Sequence, residues 1–261
     1  MPDLLRHALL ALTAFLAYFQ EAVTGCGGTA VALPIVSLFL KLETAKEVLV
    51  IQAWLLTLCI VISSRKHIVW RQYGRIILFA GIGFPVGMYL FASLPQSALK
   101  WALGVFVVAI AVRGLVAQIS AAEPAKWSPS RWMSLLMNGV LVLGGVVHGA
   151  FASGGPIIMI YATKALPDKS VFRVTLCMLW LTLNSILIGS WTLQGVATHR
   201  PLLLGGEVWM LTAICTPCTL LGMVLGDRCH YRINERAFRV AVYAVLFLSG
   251  IAVLYSAARA G

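Results

Sequence analysis

Charge is what this sequence has least of. Asp, Glu, Lys and Arg make up only 11% of its 261 residues, while 60% are hydrophobic and the mean hydropathy is +0.91. A water-soluble domain carries about a quarter charged residues because its surface faces water, so a soluble globule is excluded. Acidic side chains are the scarcest class, nine against twenty Lys and Arg, leaving a formal charge of +11. That excess forms no stripe of basic residues with interleaved aromatics, so no nucleic-acid partner is expected. It collects in short segments such as SSRKHIVWRQYGR at 63–75 and GDRCHYRINERAFR at 226–239, as the positive-inside rule produces at a cytoplasmic face. There is no nucleotide-binding glycine motif, which argues against a pump driven by ATP on this chain alone. No cofactor and no metal are expected.

The first apolar stretch, MPDLLRHALLALTAFLAYFQEAVTG, has Asp3 near its start and no small-residue cleavage site after it. It reads as a retained helix rather than a signal peptide. Six cysteines stand at 26, 59, 177, 215, 218 and 229, all but Cys229 inside apolar segments, which is no disulfide framework. CTPC at 215–218 has the spacing of a redox pair. Its setting is an apolar helix rather than a βαβ unit, and it reads as small core residues beside a proline.

What is present is a series of apolar segments, near 5–25, 29–40, 46–64, 75–93, 98–117, 132–152, 156–166, 171–190, 207–226 and 237–256. Several approach or exceed the ~18 residues that cross ~30 Å of hydrocarbon. The second and seventh are too short, and each follows a double glycine, Gly27-Gly28 or Gly154-Gly155. A shift of 127 positions lays GCGGT over ASGGP, Lys46 over Arg173, Gln52 over Leu179 and Thr57 over Asn184. Later a shift of 139 fits better, placing GFPVG at 83–87 over GMVLG at 222–226, with the insertion in WTLQGVATHRPLLLGG. Each half is one copy of a five-segment unit.

Charge decides the orientation of the copies. The 63–75 loop holds five Arg, Lys or His residues, while its counterpart around 191–206 has only His199 and Arg200. SLPQS at 93–97 is uncharged, while its counterpart at 227–236 is rich in Arg. Both positive members face the cytoplasm if the second copy is inverted. The expected fold is therefore an all-α polytopic membrane protein with two inverted-topology repeats. Each repeat is a glycine-broken hairpin followed by three transmembrane helices, about eight full spans and two short broken segments in all. The first repeat takes 1–118, an inter-repeat loop 119–131, and the second repeat 132–261. The alternative is a pair of parallel four-helix repeats with each break inside one continuous span.

Non-helical backbone survives at membrane depth only when buried in protein or lining a wet cavity. Paired broken segments in inverted repeats place such backbone near the midplane, where transporters bind their substrates. A helix starting just after Gly28 or Gly155 aims free N–H groups and its positive dipole end at that cavity. Two such ends make an anion site, to which Thr24, Thr29 and Ser153 can add hydroxyls. The plainer reading, glycines that let helices approach closely, is preferred for Gly83, Gly87, Gly222 and Gly226.

GCGGTAVALPIV, GAFASGGPIIMIYATKALPDKSVFRVT and LNSILIG resemble the paired glycine-rich signatures of the sulfite exporter TauE/SafE family, also called the toluene sulfonate uptake permease family. The resemblance covers nearly the whole chain, and its more specific part lies around Gly154, Gly155, Pro156, Arg173 and Asn184. It implies a bacterial inner-membrane carrier for sulfur-containing anions such as sulfite, thiosulfate, sulfonates or sulfoacetate. The first half departs from the family pattern at Cys26, between glycines, and at Gln52.

Ionisable groups at membrane depth are costly and usually carry a role. Glu21, about two helical turns before the first break, and His148, its match in the second copy, are candidates for proton coupling. The plainer version pairs Glu21 with Arg6 or Lys46 and bonds His148 to a carbonyl. Lys46 and Arg173 can bind an anion, Arg173 through two prongs, or serve as interfacial cations. Asn184 and Gln52 can donate to substrate oxygens or join two helices. Cys26 either contacts a sulfur substrate or fills a small space. Trp70, Trp101, Trp132, Trp191 and Trp209 read as interfacial anchors. The expected activity is secondary transport of a small sulfur oxyanion or sulfonate by alternating access through Gly27, Gly28, Thr29, Ser153, Gly154, Gly155 and Pro156. The rivals are a membrane thiol-disulfide oxidoreductase and an anion channel. The lipid bilayer is the surrounding partner, and a homodimer is the expected oligomer.

Overall fold

A computed structural model of the chain describes residues 3–119, 131–166, 168–197, 205–229 and 235–260. Residues 120–130 of the expected inter-repeat loop, His199, Arg200 and residues 230–234 of the Arg-rich 227–236 loop lie outside these residues. Each apolar run becomes a helix: α1 Asp3–Thr24, α2 Gly28–Val36, α3 Leu42–Ser64, α4 Trp70–Ser93, α5 Gln96–Ile119, α6 Arg131–Phe151, α7 Gly155–Ala165, α8 Lys169–Ala197, α9 Gly206–Cys229 and α10 Glu235–Ala260. A 3-10 turn at Arg65–His67 extends α3.

Among the described residues, seven helices are long and apolar enough to cross a bilayer. They are α3 to α6 and α8 to α10, and they make the chain a polytopic membrane protein. This is one fewer than the eight full spans expected. Helix α1 has the length, 22 residues, but Asp3, Arg6, His7, Gln20 and Glu21 dilute its apolar run. Helices α2 and α7, at 9 and 11 residues, are too short to cross, since each residue adds only ~1.5 Å of rise. Outward-facing Leu78, Ile82, Tyr89, Trp132, Leu193 and Leu248 are all more than half exposed. In water such a surface would drive aggregation; against lipid it is the ordinary outer face.

Among the described residues five helices lie before residue 120 and five after residue 130, so α1 to α5 correspond in order to α6 to α10. The dominant packing pairs respect that correspondence. Helix α4 packs on α6 and α1 on α9, which is one contact made twice, while α5 packs on α10 and α3 on α8, each against its own counterpart. Helices α5 and α10 run antiparallel, because Gly104 lies against Leu254 whereas Gly114 lies against Tyr243. Corresponding helices thus meet with opposed chain directions. Helices α4 and α6 run parallel along a glycine seam, where Gly83 and Gly87 rest on the Val142 and Val146 carbonyls and Gly145 and Gly149 on those of Ala80 and Phe84. Gly222 and Gly226 sit likewise on the Phe15 and Phe19 carbonyls. A methyl at any of these six positions would strike backbone, which is why small residues occupy them.

Candidate functional site

Both hairpins break in the same way. Helix α1 ends where the Gly25 N–H closes on the Glu21 carbonyl at 2.7 Å, and α6 ends where the Ala152 N–H closes on the His148 carbonyl at 2.7 Å. Gly25 (φ 82°) and Ala152 (φ 52°) both take the left-handed conformation that stops a helix. Glu21 therefore lies one turn before its break, not two, because α1 continues to Thr24. Gly27 (φ 94°) is left-handed as well, and it caps α2 with no side-chain partner.

A latch holds the first break. Gln20 Nε2 donates to Thr24 Oγ1 at 2.8 Å and to the Cys26 carbonyl at 2.9 Å, while the Thr24 hydroxyl lies 2.8 Å from the same carbonyl. Trp180 Nε1 donates to the Gly25 carbonyl at 3.1 Å, tying the break to α8. Thr24 is thus spent on the loop itself. In the second break, Ser153 Oγ donates to the Phe151 carbonyl at 2.9 Å.

The two breaks touch. A methyl placed on Gly155 would lie 3.4 Å from Cys26 Cβ and 3.4 Å from the Gly27 nitrogen. Around that meeting point lies a pocket with about 260 Å³ of non-atom space, part of it open solvent at its mouth, lined by Glu21, Gly27, Thr29, Ala30, Ala53, His148, Ala152, Ser153, Gly155, Trp180 and Asn184. Its wall is drawn from both halves. The Gly28 N–H faces the Glu21 carboxylate, while Glu21 Oε2 is buried with no hydrogen-bond partner. His148 Nε2 lies 3.2 Å from Asn184 Oδ1, so with the amide oxygen toward the ring Nε2 carries the proton. Its Nδ1 is then a bare acceptor, buried and unpartnered. The ring stacks on Trp180 with centroids 5.1 Å apart and tilts against Phe84 at 6.1 Å.

Of the residues singled out from sequence, Gly27, Thr29, Ser153, Gly155, Asn184, Glu21 and His148 line this pocket. Others stand behind or away from it. Gly28 packs on Glu21, and Gly154 on the Gly144 carbonyl and His148. Pro156 occupies the first turn of α7, where a missing N–H costs nothing. Cys26 is buried beside Gly155. Gln52 Nε2 bridges α3 to α9 through the Thr212 carbonyl at 2.8 Å and Thr216 Oγ1 at 3.1 Å. Arg173 pairs with Asp227 at 2.7 Å. Lys46 Nζ donates to the Gly149 carbonyl at 2.8 Å and sits 3.8 Å over the Phe91 ring. Glu21 therefore has neither suggested cation: Arg6 reaches Glu207 at 3.5 Å instead. His148 bonds an amide side chain, not a backbone carbonyl. Cys215 is buried in the core and Cys218 is half-buried, and both are free thiols.

The chain matches the family described as Sulfite exporter TauE/SafE over residues 10–253. It belongs to that family. Among curated proteins it is similar to the probable inner membrane transporter protein TsaS of Comamonas testosteroni, 24% identical over 190 residues, covering 71% of this chain and 72% of the relative. No solved structure matches it. As a TauE/SafE membrane transporter, the chain has its pocket at the junction of its two broken hairpins. Sequence reasoning missed Trp180, Ala53 and Gln20. A signal for two of them exists, since the shift of 127 lays Ala53 over Trp180, though neither residue is ionisable or breaks a helix.

Proposed function

We propose that this TauE/SafE transporter carries a small sulfur-containing anion (sulfite, thiosulfate, a sulfonate or sulfoacetate) across the bacterial inner membrane by alternating access. One observation carries the reading: the starts of two short helices from opposed halves converge on one pocket that also holds Asn184 and Thr29. The first N–H groups of a helix lack intrahelical partners, and together with the dipole they make a ready anion site. The antiparallel meeting of α5 with α10 supports an inverted pair of repeats, with the basic 63–75 segment cytoplasmic. The inner-membrane assignment is supported by the relative's description.

Glu21 and His148 line the pocket as the candidates for proton coupling. An anion entering beside an ionised Glu21 would set two like charges in one buried space, so the bound state carries a proton on that carboxyl. The test is uptake of labelled sulfite and sulfonate into proteoliposomes holding the purified protein. Saturable flux that follows an imposed pH gradient is expected. Unsaturable flux indifferent to the gradient would indicate a channel, and no flux or binding of any sulfur anion by folded protein would overturn the assignment.

A further inference from the structure

We propose that the pocket selects by charge: it takes a monoanion, such as bisulfite or an alkyl sulfonate, together with one proton on Glu21, and rejects dianions such as sulfate and thiosulfate. This rests on the anion-transport reading and narrows it to one charge class.

The positive character of the pocket is limited and can be counted. Among the described residues no Lys or Arg lines it. The buried cations Lys46 and Arg173 stand outside the lining and present no donor to it: Lys46 bonds the Gly149 carbonyl over the face of Phe91, and Arg173 bonds Asp227. What remains is the starts of α2 and α7, each equivalent to about half a positive charge, and the neutral donors of Asn184. Two half charges neutralise one negative charge. A dianion would leave a whole unit uncompensated by any group that lines the pocket, which low local dielectric penalises heavily.

Glu21 supplies the second, independent observation. The residue is 3% exposed, lines the pocket, and its Oε2 finds no partner. Ionised, it would cancel one negative charge's worth of attraction. Protonated, it becomes an O–H donor in the pocket wall beside Gly28, at the start of α2. The same proton thus removes a repulsion and adds a hydrogen bond.

The other titratable groups around Glu21 do not change the count. His148 gives its Nε2 proton to Asn184, lies between Trp180 and Phe84, and has no carboxylate within ion-pair distance among the described residues. Tyr18 donates to the Leu49 carbonyl at 2.5 Å. Cys26 and Cys177 are buried free thiols.

Binding to purified protein in detergent tests the proposal, with methanesulfonate and sulfate titrated at pH 6 and pH 8, where each keeps its own charge. Methanesulfonate is expected to bind at least about tenfold more tightly than sulfate, because one unneutralised buried charge is worth more than the ~1.4 kcal/mol that a factor of ten requires. Its affinity is expected to rise as pH falls, and Glu21→Gln is expected to remove that dependence. Sulfate or thiosulfate binding as well as methanesulfonate overturns charge selection, as does a pH dependence that survives in Glu21→Gln. If that variant fails to fold, the methanesulfonate-to-sulfate ratio in the unaltered protein decides alone. Absence of binding by any sulfur anion strikes the transport reading itself, a separate outcome.

Discussion

Adjacent Gly154 and Gly155 should respond oppositely to one added methyl group. At Gly154 the backbone φ is −68°, so alanine meets no conformational penalty there. Its Cβ would nevertheless strike the Gly144 carbonyl oxygen and come within 2.8 Å of His148 Cβ. A helix carbonyl in the middle of α6 cannot swing aside, so α7 must move off α6. Overpacking of this kind costs about 1–3 kcal/mol. At Gly155 the nearest atoms would be Cys26 Cβ and the Gly27 nitrogen at 3.4 Å and Trp180 Cζ2 at 3.7 Å, a tight but admissible fit. Gly155→Ala should keep stability within about 0.5 kcal/mol, helped by the better helix propensity of alanine. Its methyl group fills the space where the two breaks meet, so anion binding should fall. Thermal unfolding in detergent, with and without methanesulfonate, separates the two effects through ligand-induced stabilisation. The reasoning fails if Gly154→Ala unfolds at the wild-type temperature, or if Gly155→Ala is destabilised equally.

Three further outcomes follow from side chains that stand away from the pocket. Lys46 is 2% exposed and has no carboxylate within ion-pair distance among the described residues, so Lys46→Met should be neutral or stabilising, as when other buried ions are replaced by apolar residues of similar size; a lowered melting temperature would show that the ammonium is better compensated than its contacts indicate. Gln52→Leu removes two hydrogen bonds worth about 1 kcal/mol each but also a buried, unpartnered Oε1, so a net loss under about 1 kcal/mol is expected, and a loss above about 2 kcal/mol would refute that balance. Asp227 is 62% exposed, so Asp227→Asn should cost no more than about 1 kcal/mol, and that cost should shrink in high salt; an effect indifferent to salt would point to something other than the ion pair.

Much of the frame was legible before any coordinates. Ten apolar runs became ten helices because run length and the glycine breaks are local signals. The shift of 127 that set Glu21 against His148 corresponds to a geometric identity, two carbonyls closing two matched 2.7 Å bonds. Side-chain direction was not legible. Arg173 has its Cα against the first break, near Gly25, yet its guanidinium leaves toward α9, where the second half carries Asp227. The shift of 139 lays that aspartate over Met88, so Lys46 meets no such acid and turns to a carbonyl and a phenyl face. Repeat alignment equates positions, while long side chains follow whatever charge the neighbouring helix offers. Thr57 shows the same limit, since its hydroxyl bonds its own helix at the Ala53 carbonyl while Asn184, its match, lines the pocket.

The two double glycines are identical in sequence and differ in cause. Gly27 is glycine because of its left-handed φ, and Gly28 because Glu21 and the Ala17 carbonyl occupy the space a methyl would need. In the second half the left-handed residue is Ala152, so the conformational demand falls outside the pair, and Gly154 is there for proximity to α6. Of the four, only Gly155 would carry an added methyl into the opposite break, against Cys26 and Gly27. The site is therefore not a two-fold copy of itself. The first half contributes the carboxyl and the less obstructed helix start, with Ala53 where the second half has Trp180. The second half contributes the imidazole, the amide and the indole, and its helix start gives up one donor to Pro156. On the anion-transport reading proposed above, a bound anion would sit off the axis, nearer the start of α2, where Thr29, Ala30 and the small Ala53 line the pocket.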